Sequence, residues 1–125
     1  MFPPIFQAVN VPAVHALLKS GSGPLRFFLF GQAPQGVQYP YAVWRQSGGS
    51  PENYLAGRPD ADSFTTQIDV YASQEQGAAT ARAVAIALRD AIEGHAHITS
   101  WIGDGQDPET KSYSFTFIAD WLTSR

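Results

Sequence analysis

Cysteine is absent from the 125-residue chain, so neither disulfides nor thiolate metal ligands can hold it together. Stability must come from packing, in keeping with assembly in a reducing cytoplasm. Charge is scarce as well. Asp, Glu, Lys and Arg make up 15% of the residues, against roughly 25% in an average soluble protein, so part of the surface is expected to meet other proteins. The eight Lys and Arg are scattered singly in a chain of net charge −3. That leaves no basic stripe to neutralise a phosphate backbone and argues against direct nucleic-acid binding. No window approaches the roughly 20 apolar residues of a membrane span, and the opening MFPPIFQ has neither a basic leader nor a long apolar run. A soluble chain with no membrane partner is the expectation. Repeats and low-complexity tracts are missing too. What is present is 44% apolar residues, enough for one core, and a single domain over residues 1–125 is expected.

Apolar spacing sets out the elements. Pro3 and Pro4 suit a first helical turn, and Ile5, Phe6 and Val9, then Val14, Leu17 and Leu18, recur at helical spacing. These predict a helix over 3–19 broken near Asn10, with Asn10 as the cap of its second half. The run Leu25 to Phe30 is apolar on both faces and is expected to be an interior or interface strand. Tyr39 to Ser47 forms the second strand, with Pro40 tolerable only near its start. Gly48 to Asp62 is dense in Gly, Pro, Asn and Asp and reads as a long loop. Phe64, Thr66, Ile68 and Val70 then alternate against Thr65, Gln67, Asp69 and Tyr71 in a half-buried third strand. Ser73 and Gln76 have capping-box spacing ahead of Ala81, Val84, Ala85, Leu88, Ala91 and Ile92, the apolar stripe of a helix over 76–93 that Gly94 should stop. A hairpin of 96–102 and 112–122 follows, around a polar loop. The fold class is α+β: a mixed or mostly antiparallel sheet of about five strands with two helices packed on one face, in the order α-β-β-β-α-β-β.

A search for chemistry finds no site. His95 and His97 could share a metal only with a third ligand such as Asp69 or Asp120. Asp104, Asp107 and Glu109 crowd one loop, but without EF-hand spacing they read as a solvated hairpin tip. No serine lies in a G-x-S-x-G elbow, and the short Gly-Ser runs have no following lysine and no strand-to-helix setting for a phosphate. No enzyme activity and no cofactor are expected. Assembly is favoured instead. Ile86 stands among Arg82, Arg89 and Glu93 on the polar face of the second helix, where it could form a contact patch. Three Trp, five Tyr and eight Phe exceed what such a core readily absorbs, and Tyr39, Tyr41, Tyr54, Tyr71 and Trp44 fall at edges or loops, where interfaces favour aromatics.

Read in order, MFPPIFQ, VPAVHALL, GQAPQGVQYPYAVW, SGGSPENYLAGRPDADSF, TQIDVYA and ALRDAI together resemble the tail-completion, or tail-terminator, proteins of long-tailed bacteriophages and prophages. APQGVQYPYAVW, PENYL and QIDVYA are the most specific parts. The resemblance covers nearly the whole chain. It implies a small structural subunit of the virion that forms a ring, usually a hexamer, caps the finished tail tube and presents a surface to the head connector or head-closure protein. DNA would only pass through the ring channel, and no catalytic residue or cofactor comes with the family. The assembly surface is expected at Pro51, Glu52, Asn53, Tyr54, Leu55, Arg58 and Asp60, which are chemically distinctive in a segment exposed by composition, and at Ile86. Another neck or head-closure subunit, or a ferredoxin-like α/β module binding a metabolite, are the rival readings.

Overall fold

A computed structural model describes residues 2–51 and 61–124 of the chain. In order these form α1 (Ile5–Val9), α2 (Pro12–Leu18), β1 (Phe27–Leu29), β2 (Tyr41–Pro51), β3 (Ala61–Ala72), α3 (Gly77–Glu93), β4 (Ala96–Gln106) and β5 (Tyr113–Ser124). The strands make one sheet in the spatial order β1-β2-β3-β5-β4. β1 pairs with β2 in parallel, and the other three pairings are antiparallel. Because β3 and β4 both run antiparallel to β5, α3 crosses from β3 to a strand parallel to it, and β5 is inserted between the two. This is the mixed α+β sheet that the sequence predicts, with its N-terminal helix divided in two.

The alternation of β3 decides which face is core. Phe64, Thr66, Ile68 and Val70 are buried, and Thr65, Gln67, Asp69 and Tyr71 lie half-buried on the opposite face. Register extends that division across the sheet, since Ile68 faces Phe117 and Phe64 faces Trp121 on β5. Against this face pack Val84, Ala85, Leu88 and Ile92 of α3, with Ile5 and Val9 of α1 and Val14 and Leu18 of α2 closing the same cluster. Each large side chain so buried contributes about 1.5–3 kcal/mol. Within this layer the Trp121 indole Nε1–H donates to Thr66 Oγ1 at 2.9 Å.

Arg26 fixes the β1 end of this layer. The residue is buried, and its guanidinium donates to the carbonyls of Pro40 (2.9 Å) and Leu17 (3.2 Å) and to Ser20 Oγ (2.9 Å). Burial among these neutral oxygens lowers its pKa from the ordinary arginine value. One side chain thereby ties the end of α2, the entry to β1 and the Tyr39–Pro40 turn before β2.

Several expectations need correction. Asn10 does not cap α2. The N-cap position is Val11, and the Asn10 carboxamide oxygen instead meets His15 Nε2 at 2.6 Å. The Leu25–Phe30 run is not an interior strand, for only Phe27–Leu29 pairs and it pairs on one side alone, leaving Leu29 and Phe30 exposed at the sheet margin. Nor is 48–62 wholly loop. β2 and β3 extend into it as far as the pair Pro51 and Asp62, with a register shift between Gln46 and Gly48. Gly49 makes that extension possible, since a Cβ there would stand 2.7 Å from the Ser63 carbonyl oxygen. Gly94 stops α3 without a left-handed turn, its φ being −68°. The capping box does form, with Ser73 and Gln76 exchanging hydrogen bonds at 3.1 and 3.2 Å. It closes the turn ahead of the helix, and Gly77, at φ +80°, then redirects the chain into α3.

Candidate assembly surfaces

Among the described residues all helices lie on one side of the sheet, and none covers its second face. Odd-numbered residues of β3 and the matching positions of β2 and β5 build it. At one end Phe28, Tyr39, Tyr41 and Tyr71 come together, with ring centroids 6.5 Å apart for Phe28–Tyr41, 5.4 Å for Tyr39–Tyr41 and 5.2 Å for the stacked Tyr41–Tyr71 pair. Partial burial raises the pKa of both stacked phenols, with Tyr39 adding to the effect on Tyr41, and Asp69 and then Tyr41 adding to that on Tyr71. Beside the rings runs a polar chain. Arg45 Nη2 donates to Gln67 Oε1 at 3.0 Å, Gln67 Nε2 to Asp69 Oδ1 at 3.2 Å and Thr116 Oγ1 to Asp69 Oδ1 at 2.6 Å. The sequence named these tyrosines separately as edge residues. Their meeting depends on the strand register, which pairs Tyr41 with Tyr71.

On the helical side, Ile86 is 47% exposed on α3. It borders a shallow groove of about 420 Å³ between α2 and α3, lined also by Val11, Ala13, Ala83, Ala87, Asp90 and Ala91. Next to it, Arg89 lies over the Trp101 ring, 5.8 Å from its centroid, and Trp101 itself packs on Phe115 and Phe117. Arg82 makes a two-pronged ion pair with Asp104 that raises the arginine's pKa and holds the carboxyl below its ordinary range, both side chains being exposed.

Of the loop residues expected to form the assembly surface, Pro51 ends β2 opposite Asp62. Glu52, Asn53, Tyr54, Leu55, Arg58 and Asp60 lie outside the described residues. The residues considered for metal or catalysis are dispersed or otherwise engaged. His97 stands opposite Asp120 across β4 and β5, but the Asp120 carboxylate accepts from Thr65 Oγ1 at 2.8 Å. Asp107 Oδ1 accepts the backbone N–H groups of Glu109 (2.7 Å) and Thr110 (3.2 Å), so it shapes the hairpin turn, and Asp104 is taken by Arg82. Among the described residues no three His, Cys, Asp or Glu side chains stand together as a metal site, and no helix is long and apolar enough to cross a membrane.

The features that stand out are therefore surfaces: an uncovered sheet face with an aromatic cluster, sheet margins carrying large apolar groups, and an apolar groove beside α3. They define a small α+β protein whose distinctive chemistry lies on its outside. The family model of the tail completion protein gp17 matches residues 4–124, and the chain belongs to that family. It is a structural component of a bacteriophage tail. No curated protein matches the chain.

Proposed function

We propose that the protein closes the end of the tail tube as a ring of identical subunits, a hexamer, and forms part of the junction between tail and head. The observation that carries this reading is the family match across residues 4–124. The surface supports it, because Phe30 (60%), Ile102 (63%) and Leu122 (65%) are exposed to a degree that invites cover by other subunits. Its partners are further copies of itself, the tail tube protein and the head connector or head-closure protein, all met during assembly in the host cytoplasm. DNA passes through the channel without being gripped, as suits a chain with few and scattered cations.

The test is a phage lacking the gene, examined by electron microscopy with and without complementation. Loss should yield filled heads and separate tails of irregular length, and the supplied protein should restore joined, uniform particles. Uniform tails joined to heads in its absence would refute the reading. Completed tails beside heads that leak their DNA would move the protein to head closure.

A further inference from the structure

Among the described residues the sheet has two free margins, β1 and β4, and both are poor in charge. Natural edges are kept from associating by charged side chains, above all lysine. Here residues 27 to 44, which span β1 and its connection to β2, include no Asp, Glu, Lys, Arg or His, and 94 to 103, which lead into and form most of β4, include no Asp, Glu, Lys or Arg. Large apolar side chains stand in their place. Leu29 (41%) and Phe30 (60%) are exposed at the β1 margin, and Trp101 (45%) and Ile102 (63%) at the β4 margin. The margins are otherwise unlike. β1 is three residues long, and β4 is eleven with two register shifts, between Ile98 and Ser100 and between Trp101 and Gly103. Short length and bulges limit continuous backbone pairing, so the contact these edges support is side-chain packing.

We infer that the β1 and β4 margins are the two halves of one contact between copies of this chain, the β1 edge of one subunit seating on the β4 edge of the next. Three observations favour a second copy as the occupant. Depletion of charge with aromatic enrichment is the composition of an interface core, and both margins have it. The two lie on opposite sides of one sheet, so a contact that uses both is head-to-tail and leaves a free margin of each kind on every pair, which is what a closing ring requires. The two arginines beside the β4 margin are already paired within the chain, Arg82 with Asp104 and Arg89 with Asp90 and Glu93, so burying the margin strands neither of them. The inference rests on the ring reading above and adds to it which surfaces meet.

Two exposed substitutions test it, Phe30→Asp on the β1 margin and Ile102→Asp on the β4 margin, with circular dichroism and melting to establish that each variant folds. Sedimentation over a concentration series should show the wild-type chain moving from monomer to larger species and each variant alone remaining monomeric. Mixed in equal amounts, the variants retain one intact margin of each kind between them and should form a species of two chains and no larger. Variants that associate as the wild type does would overturn the proposal while leaving the ring reading to the deletion phage. A dimer formed by either variant alone would overturn it in favour of a two-fold contact. A wild-type chain that stays monomeric at every concentration would also count against this contact, and the complementation experiment would still decide the tail role separately. Where Asp at either position prevents folding, Ser at the same position is the substitute, and the same pattern of masses is expected.

Discussion

Thr66 is wholly buried beneath Trp121, and its hydroxyl has two roles: it accepts from the indole N–H at 2.9 Å and donates to the Ala119 carbonyl at 3.3 Å. Valine has nearly the same shape but no acceptor, so Thr66→Val should leave the buried indole N–H unpaired and cost about 1–3 kcal/mol. Thr66→Ser keeps the acceptor and should recover much of that loss. Denaturant midpoints at unchanged slope would measure both. The stacked phenols give a second residue-level expectation, this time in pH. Tyr41 and Tyr71 have folded pKa values raised above the ordinary tyrosine value, chiefly by burial. The unfolded chain therefore releases these protons first, and their contribution is fully present below the ordinary tyrosine pKa and declines as pH rises through the folded values. Thermal midpoints should fall on that alkaline side, and Tyr71→Phe should flatten the fall. An unchanged profile in the variant would place the alkaline loss elsewhere. Both phenols are only partly buried, so the effect should be modest.

At the scale of elements, α3 rests on the sheet through Ala81, Val84, Ala85 and Leu88, each at most 1% exposed. Ala85→Leu should overpack this close contact and destabilise the fold by about 1–3 kcal/mol, visible as a lowered thermal midpoint. That helix, its capping box and the alternation of β3 were legible in the sequence because their signals are local: a 3.6-residue stripe, a Ser and Gln three apart, a period of two. What the sequence hid depends on a partner strand. Gly48 to Pro51 read as loop because glycine and proline are poor strand formers, yet β3 holds that stretch extended, and Gly49 suits a ladder too tight for a Cβ. β4 likewise continues through Gly103, Asp104 and Gly105 because β5 pairs with them. Asn10 has the residue type and place of a cap, and composition cannot show that its side chain is engaged by His15. For the surfaces, Ile86 could be found from its place on a helical wheel. The cluster of Phe28, Tyr39, Tyr41 and Tyr71 and the apolar margins could not, since both arise only when distant strands take up register.

For the molecule as a whole, the question is which parts serve folding and which serve the particle. The margins and the groove beside α3 can be altered at exposed side chains, so their loss should be felt in assembly before stability. The segment 52–60 that joins β2 to β3 lies outside the described residues, and its composition carries the argument. A turn-rich stretch buries few apolar contacts, and Tyr54 is the largest apolar group in it. Tyrosine is enriched among residues that dominate interfaces, and truncating such a residue commonly costs about 2 kcal/mol or more of binding. Tyr54→Ala should therefore leave the soluble protein folded, with nearly unchanged circular dichroism and melting. In a deletion phage complemented with this variant, electron microscopy should show filled heads and tails unjoined, or tails of irregular length. Infectious particles with uniform tails would remove Tyr54 from the interface. A variant that fails to fold would instead assign the ring to the core, and the β2–β3 connection would then belong to the architecture of the subunit rather than to its contacts.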